Sequence, residues 1–231
     1  MTAVFHDTPS SVVAPVGVYP PQEDSQLLVH ALMDSGLAPG RRLADLCTGS
    51  GVVAIAAATM GAKDVTAFEI SPEAVDCARA NAHATGVSVN VRRGSWTAAL
   101  DQPPFDIVTA NPPYVPAGPT ADTESIPTSA GPAQAWNAGP DGRLILDPLC
   151  DSAADLLTDG GTLMLVQSTL ADVAQSLRRL RSSGLQAEVV ASQWIPFGPV
   201  LTSRATWLED TGLLPIGQRI EELVVIRADK S

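Results

Sequence analysis

Short apolar runs alternate with amphipathic segments along most of the 231-residue chain. The apolar runs predict strands at 42–47, 65–70, 87–91, 105–110, 161–166, 186–190 and 223–226. Apolar residues at helical spacing predict helices at 26–33, 52–60, 73–84, 143–157 and 170–182. Strands that alternate with helices of about ten residues form βαβ units, so the pattern predicts a parallel sheet with helices on both faces.

Two stretches break this alternation. Residues 115–141 and 192–218 are rich in Pro, Gly, Ser and Thr and show no regular apolar period, which predicts long loops. We expect both loops to be insertions in a single domain, 18–231, that follows a flexible N-terminal arm, 1–17. Loops of this length in a compact domain are usually functional, so we expect them to flank a binding site.

Composition narrows the class of protein. With 45% hydrophobic and 17% charged residues the chain is globular, and its net charge of −11 disfavours a nucleic-acid partner. No apolar stretch is long enough for a membrane span, and no secretion signal is visible, so no membrane partner is expected. The three cysteines are odd in number and lack metal-ligand spacing, which predicts reduced thiols in a cytoplasm and no bound metal.

The tetrapeptide Asn111-Pro112-Pro113-Tyr114 follows the predicted strand 105–110. The Asn111 amide oxygen and the Pro112 carbonyl can accept both N–H bonds of a planar NH2 group, which holds its lone pair toward an electrophile. The prolines keep the loop out of the strand ladder, and Tyr114 adds an aromatic face. An ordinary Pro-Pro turn beside a buried tyrosine could have the same sequence. The motif therefore indicates function only if the rest of the chain supplies a site for the electrophile.

A glycine-containing turn follows the first predicted strand and opens a helix. Gly49 and Gly51 let a ligand approach the backbone near a helix N-terminus. The dinucleotide-binding pattern is incomplete because Cys47 stands at its first glycine position. Asp45, at the strand end, would repel a pyrophosphate but suits an ammonium such as the methionine part of S-adenosylmethionine. These details argue against a nicotinamide-dependent oxidoreductase.

Two further strand ends supply polar groups. Glu69 ends the second predicted strand about twenty residues beyond the turn, where an acidic side chain can accept both ribose hydroxyls of an adenosine. Ser95 and Trp96 follow the third strand, where they can contact an adenine ring, although Trp96 also suits the core. Because parallel strands end at one sheet edge, these groups and Asn111 predict a single crevice.

These motifs together resemble class I S-adenosylmethionine-dependent methyltransferases, and specifically the HemK-like or PrmC-like glutamine methyltransferases in their short form, which lacks an N-terminal helical domain. The blocks that carry the resemblance are 18–28, 45–51, Glu69, 111–114 and 136–143. The resemblance implies a doubly wound, seven-stranded, mostly parallel sheet whose last strand is antiparallel. It implies that the substrate is a glutamine side-chain amide in the Gly-Gly-Gln motif of a translation release factor. Some relatives also use a small activator subunit.

The resemblance also implies a role for individual residues. Cofactor contacts fall on Ser25, Asp45, Cys47, Gly49, Gly51, Glu69, Ser95, Trp96 and Asn111, and catalytic or substrate contacts on Asn111, Pro112, Pro113 and Tyr114. Two positions depart from the family pattern. Cys47 replaces a glycine and narrows the space near the cofactor, and Ser95 stands where an acidic residue is common.

Several alternatives share the tetrapeptide. Methyltransferases that act on adenine N6 or guanine N2 of nucleic acids hold the same kind of conjugated NH2 group. A small-molecule amide carries such a group as well. The negative charge weighs against nucleic acid. A non-catalytic S-adenosylmethionine-binding partner subunit is a further alternative, which the intact Asn111–Tyr114 motif disfavours.

Overall fold

A computed structural model describes residues 12–119 and 126–231 of the chain. The helices are α1 (Glu23–Ser35), α2 (Val52–Thr59), α3 (Pro72–Thr85), α4 (Leu146–Leu156), α5 (Val173–Ser182) and α6 (Pro199–Asp210). The strands are β1 (Arg42–Leu46), β2 (Asp64–Glu69), β3 (Asn90–Arg93), β4 (Phe105–Ala110), β5 (Leu157–Ser168), β6 (Leu185–Pro196) and β7 (Ile220–Lys230).

The strands form one seven-stranded sheet in the order β3-β2-β1-β4-β5-β7-β6. The pairs among β1 to β5 are parallel, and β7 runs antiparallel to both β5 and β6. From β1 the chain moves outward to β2 and β3, and then from β4 in the opposite direction to β5. Since such crossovers are right-handed, the helices after β1 and β2 lie on one face and α4 lies on the other. The predicted fold class is confirmed.

The central strands are buried because both of their faces are covered by helices. Every residue of β4 except Asp106 is buried, and β1 is buried after Arg42. Buried strands of this kind read as continuous apolar runs, which is why the sequence predicted β1, β2 and β4 within one residue of their ends. For β5 it predicted 161–166, all of which is buried, whereas the strand spans Leu157–Ser168. The outer strands were predicted less well. β3 lies at 90–93 instead of 87–91, and β7 extends well beyond 223–226 in both directions.

The prediction of a loop over 192–218 is wrong, because β6 continues to Pro196 and α6 follows. Pro199 occupies the first turn of α6, where its missing N–H has no helical partner to lose. Leu201, Ala205 and Leu208 then fall on one buried face. The part of 115–141 that the structure describes forms short 3-10 turns and irregular chain, and 120–125 lie outside the described residues.

The predicted flexible arm is described only from residue 12 onward. There the chain is held against α3, since the amide of Asn81 donates to the Val13 carbonyl at 2.9 Å and its oxygen accepts from the Val13 N–H. For residues 12–17 the arm is therefore ordered against the domain, while 1–11 lie outside the described residues.

The last three elements bring one more segment to the edge where β1, β2 and β4 end. β6 is parallel to β5, because both are antiparallel to β7. The end of β6, the whole of α6 and the start of β7 therefore lie at that carboxyl edge. This hairpin connection lies beside the crevice that the strand ends form.

Candidate active site

A cavity of about 370 Å³ opens at the carboxyl edge of the sheet. This volume is in the range of small-molecule sites. The predicted site residues that line it are Ser25, Asp45, Cys47, Gly49, Glu69, Ser95, Trp96, Asn111, Pro112, Pro113 and Tyr114. Gly51 is the one predicted contact that is missing from this lining.

Asp45 is a buried carboxylate at the end of β1, 1% exposed. It accepts hydrogen bonds from the hydroxyls of Thr48, at 2.5 Å, and Thr109, at 2.7 Å. Burial raises the pKa of Asp45 to about 6, against the lowering effect of these hydrogen bonds. A bound ammonium would stabilise the ionised form, so this carboxylate suits a positively charged ligand.

The turn after β1 is shaped by three residues in the left-handed backbone region. Gly49 and Gly51 have φ of 55° and 86°, and Cys47 has φ of 57°, which is unusual for a residue with a side chain. A Cβ on Gly51 would lie 3.0 Å from the Ala78 Cβ of α3. We therefore assign Gly51 to the contact between α2 and α3, and not to the cavity as the sequence suggested. Burial raises the pKa of the Cys47 thiol, which stays neutral.

Glu69 ties the end of β2 to this turn. Its two carboxylate oxygens accept from the backbone N–H groups of Gly49, Ile70 and Ser71 at 2.8–2.9 Å. A carboxylate has about four acceptor positions, so one stays open for a ligand hydroxyl. The same three bonds hold the side chain rigid.

Ser95 and Trp96 form the wall after β3. The Ser95 hydroxyl accepts from the Thr97 N–H at 3.4 Å and so caps the short helical turn Trp96–Ala99. Trp96 is 8% exposed and belongs to the core, as one of its sequence-based interpretations had it, and it also lines the cavity. Its contact with an adenine ring stays a prediction.

Asn111 directly follows β4 and is oriented by α1. Its Nδ2 donates to the Ser25 hydroxyl at 3.3 Å, and that hydroxyl donates its own proton to Asp24 at 3.2 Å. Because the single Ser25 proton is used by Asp24, Ser25 can only accept from Asn111. The Asn111 amide is therefore oriented with its nitrogen on Ser25, and its oxygen has no hydrogen-bond partner among the residues that the structure describes. Among the described residues, no hydrogen-bond donor reaches the Pro112 carbonyl.

Asp24 also holds two tyrosines. The hydroxyls of Tyr19 and Tyr114 each donate to Asp24 Oδ2 at 3.2 Å. Burial, followed by the nearby Asp24 charge, raises the pKa of Tyr114 well above its usual value. Tyr114 therefore remains protonated and cannot serve as a base near neutral pH.

Several lining residues carried no functional prediction. Three of them, Tyr19, Asp24 and Trp136, lie in sequence blocks that resemble the family. Their positions in the sequence did not indicate that α1 and the segment after β4 contact each other. Thr48, in the lining, and Thr109, outside it, both donate to Asp45 and were not singled out either. Hydroxyl residues near an acidic strand end are a usable signal for such support.

Comparison with known proteins shows which family the chain belongs to. The family profile described as "Methyltransferase small domain" matches residues 12–126. A protein of Methanocaldococcus jannaschii, named "Putative protein N5-glutamine methyltransferase", is 30% identical over 188 residues, which cover 81% of this chain and 91% of that protein. The chain belongs to the protein N5-glutamine methyltransferase family. It is therefore a methyltransferase, and the sequence-based predictions of family and enzyme class are confirmed.

Two other matches are informative. The release factor glutamine methyltransferase of Deinococcus radiodurans is 36% identical over 173 residues, 73% of this chain but 60% of its own length. The E. cuniculi Mtq2–Trm112 complex, described as responsible for methylation of the eRF1 translation termination factor, matches with a TM-score of 0.61. That match covers 93% of this chain and 99% of the other at 22% identity, and so shows the fold alone. Within the described residues, every helix is too short or too polar to cross a bilayer.

Proposed function

We propose that this methyltransferase transfers a methyl group from S-adenosylmethionine to the side-chain amide nitrogen of a glutamine in a translation release factor. The observation that carries the proposal is the fixed orientation of Asn111, whose free oxygen lies in the same cavity as Asp45 and Glu69.

The cofactor would be held along the strand ends. Asp45 suits its ammonium, the open acceptor position of Glu69 suits a ribose hydroxyl, and Trp96 suits the adenine ring. When bound, S-adenosylmethionine supplies a methyl group on a positively charged sulfur. Gly49 fits such a ligand, because a Cβ built there meets no atom within 4 Å.

Asn111 and Pro112 would orient the acceptor. The Asn111 oxygen and the Pro112 carbonyl accept the two N–H bonds of the glutamine amide and so keep the NH2 group flat. An amide nitrogen is a poor nucleophile because its lone pair is conjugated. The two oxygens stabilise the positive charge that develops on the nitrogen as it attacks, so the protein contributes orientation and electrostatics.

A strong base is not required by this chemistry. The amide nitrogen becomes acidic once it carries the new methyl group, and its proton leaves afterwards. This fits a site in which Tyr114 stays protonated and its hydroxyl is held by Asp24.

The glutamine acceptor is supported by the names of the relatives in M. jannaschii and D. radiodurans. It also agrees with the net charge of −11, which disfavours nucleic-acid acceptors. A small activator subunit belongs to the same proposal, since the E. cuniculi relative was solved as a complex with Trm112. Full turnover by the chain alone would exclude that requirement.

The test is transfer of a tritiated methyl group to a purified release factor, to a cell lysate and to total RNA in parallel. Asn111→Ala should lower kcat by about 10² to 10³, the cost of removing one oriented hydrogen-bond partner of a developing charge. Its cofactor Kd should change little. The matched control is Asn90→Ala, an exposed asparagine on the edge strand β3. Label in RNA and none in protein would overturn the glutamine acceptor, and normal turnover in Asn111→Ala would overturn the role of Asn111.

A further inference from the structure

A second cavity, of about 280 Å³, adjoins the first. Five residues line both: Tyr19, Asp24, Tyr114, Val115 and Trp136. The second cavity reaches from these residues to the end of β6, the start of α6 and the start of β7. A molecule whose reacting amide lies at Asn111 can therefore extend into it.

Glu221 is the feature of this cavity that lacks a structural explanation. It is 7% exposed, and its Oε2 atom has no hydrogen-bond partner among the described residues. The Nε1 atom of Trp136 likewise has no hydrogen-bond partner among the described residues. Burial raises the pKa of Glu221 to about 7, although a hydrogen bond from Ser168 lowers it. A buried carboxylate oxygen without a hydrogen-bond partner is costly, so its presence needs an explanation, and a bound ligand is one.

The charges around Glu221 are of one sign. Asp24 and Glu23, in the first turn of α1, both act on it through repulsion. The described lining of the cavity contains no lysine or arginine. Arg204 stacks on the Trp136 ring, but its guanidinium donates to the Pro116 carbonyl and the Asn137 side chain. Among the described residues, the lining of this cavity therefore carries acidic side chains and no lysine or arginine.

The rest of the wall is apolar. Ile195, Phe197, Pro199, Val200 and Leu223 line it. A negative group among apolar and aromatic surfaces matches an amphipathic cation, whose methylene stem packs against the wall while its charged head reaches the carboxylate.

We propose that the second cavity binds an arginine or lysine side chain of the methyl-accepting protein, with its cationic head on Glu221 and its stem against the apolar wall. The proposal rests on the proposed function, because it assumes that a polypeptide delivers the amide to Asn111. The two bound side chains belong to one short segment of the acceptor, since the cavities share five residues. Glu221 thus selects acceptors with a basic residue near the modified glutamine.

The first experiment compares Glu221→Gln with Glu222→Gln. Glu222 is the next residue of β7, points to the other side of the strand and lines neither cavity, so it is the matched control. We expect Glu221→Gln to raise the KM for a purified release factor by at least about tenfold, while the cofactor Kd stays the same. An equal KM in wild type and Glu221→Gln would overturn the proposal. Thermal melting of both variants establishes that they are folded.

The second experiment uses the wild-type protein and does not depend on the release factor. N-acetylarginine amide and its neutral isostere N-acetylcitrulline amide are titrated into the protein, and binding is followed by calorimetry and by NMR shifts. We expect binding of the arginine compound alone, with loss in Glu221→Gln and retention in Glu222→Gln. Equal binding of both compounds, or of neither, would overturn the proposal. If arginine binds but no release factor is methylated, the acceptor assignment fails and the cation site stands.

Discussion

The buried carboxylate of Asp45 should make cofactor binding depend on pH. Burial raises the pKa of Asp45 to about 6 in the free protein, and an ammonium ligand requires its ionised form. As the pH falls through 6 the carboxylate takes up a proton, and binding must then expel it. Cofactor affinity should therefore be highest at neutral pH and decrease toward acid.

The size of the effect follows from the pKa. With a value of about 6, roughly nine-tenths of the protein carries an ionised Asp45 at pH 7, and roughly one-tenth at pH 5. The Kd should rise about tenfold between these pH values, or about 1.4 kcal/mol. The interval stops at pH 7 because an α-amino group of the ligand titrates just above it, at about 7.7–8.0.

The assay is calorimetric titration of S-adenosylmethionine at pH 5, 6 and 7. Asp45→Asn keeps the shape of the side chain and removes its titration, so that variant should bind more weakly and show a flat profile. Glu221 also titrates in this range, at about 7, and Glu221→Gln should keep the wild-type slope because Glu221 does not line the first cavity. A constant Kd in the wild type, or the same slope in Asp45→Asn, would refute the reasoning.

Two further predictions concern the turn after β1. Gly51→Ala should destabilise the fold by about 2–4 kcal/mol in urea denaturation, because it adds left-handed strain to a Cβ contact with Ala78. Gly86→Ala, also at positive φ but with open space around it, should lose about 1 kcal/mol, and equal losses would show that the contact is unimportant. Cys47→Gly should change stability by less than about 1 kcal/mol, since relief of left-handed strain offsets lost burial and added chain entropy. A loss above about 2 kcal/mol in urea denaturation would show that the Cys47 side chain is needed for packing.

The sequence predicted the centre of the sheet better than its margin. β1, β2 and β4 are buried strands whose apolar runs end at polar turn residues, so their ends were visible. β6 is exposed along much of its length, and β7 carries charged residues at both ends around its buried centre, so neither reads as one continuous apolar run. The α6 helix was missed because Pro196, Gly198 and Pro199 are typical of a loop. In the structure Pro199 is the first residue of the helix.

Some residues of the candidate site could be predicted from the sequence and others could not. Asp45, Glu69 and Asn111 were predictable because each ends a strand, and parallel strands end at one edge. Gly51 was assigned to the ligand because glycine patterns do not distinguish a ligand contact from a helix contact. Glu221 could not be predicted, since only the antiparallel pairing of β7 brings the start of that strand beside α1.

The reversal of the last strand has an evolutionary consequence. Most of the first cavity is built on connections that must cross the sheet from one parallel strand to the next, so their lengths are constrained. The far wall of the second cavity is built on a hairpin connection, between β6 and β7, that leaves and returns at the same edge. Such a segment can lengthen, shorten or be replaced without altering any strand pairing. New acceptor preferences can therefore arise here by exchange of this one segment, while the methyl-donor half is inherited unchanged.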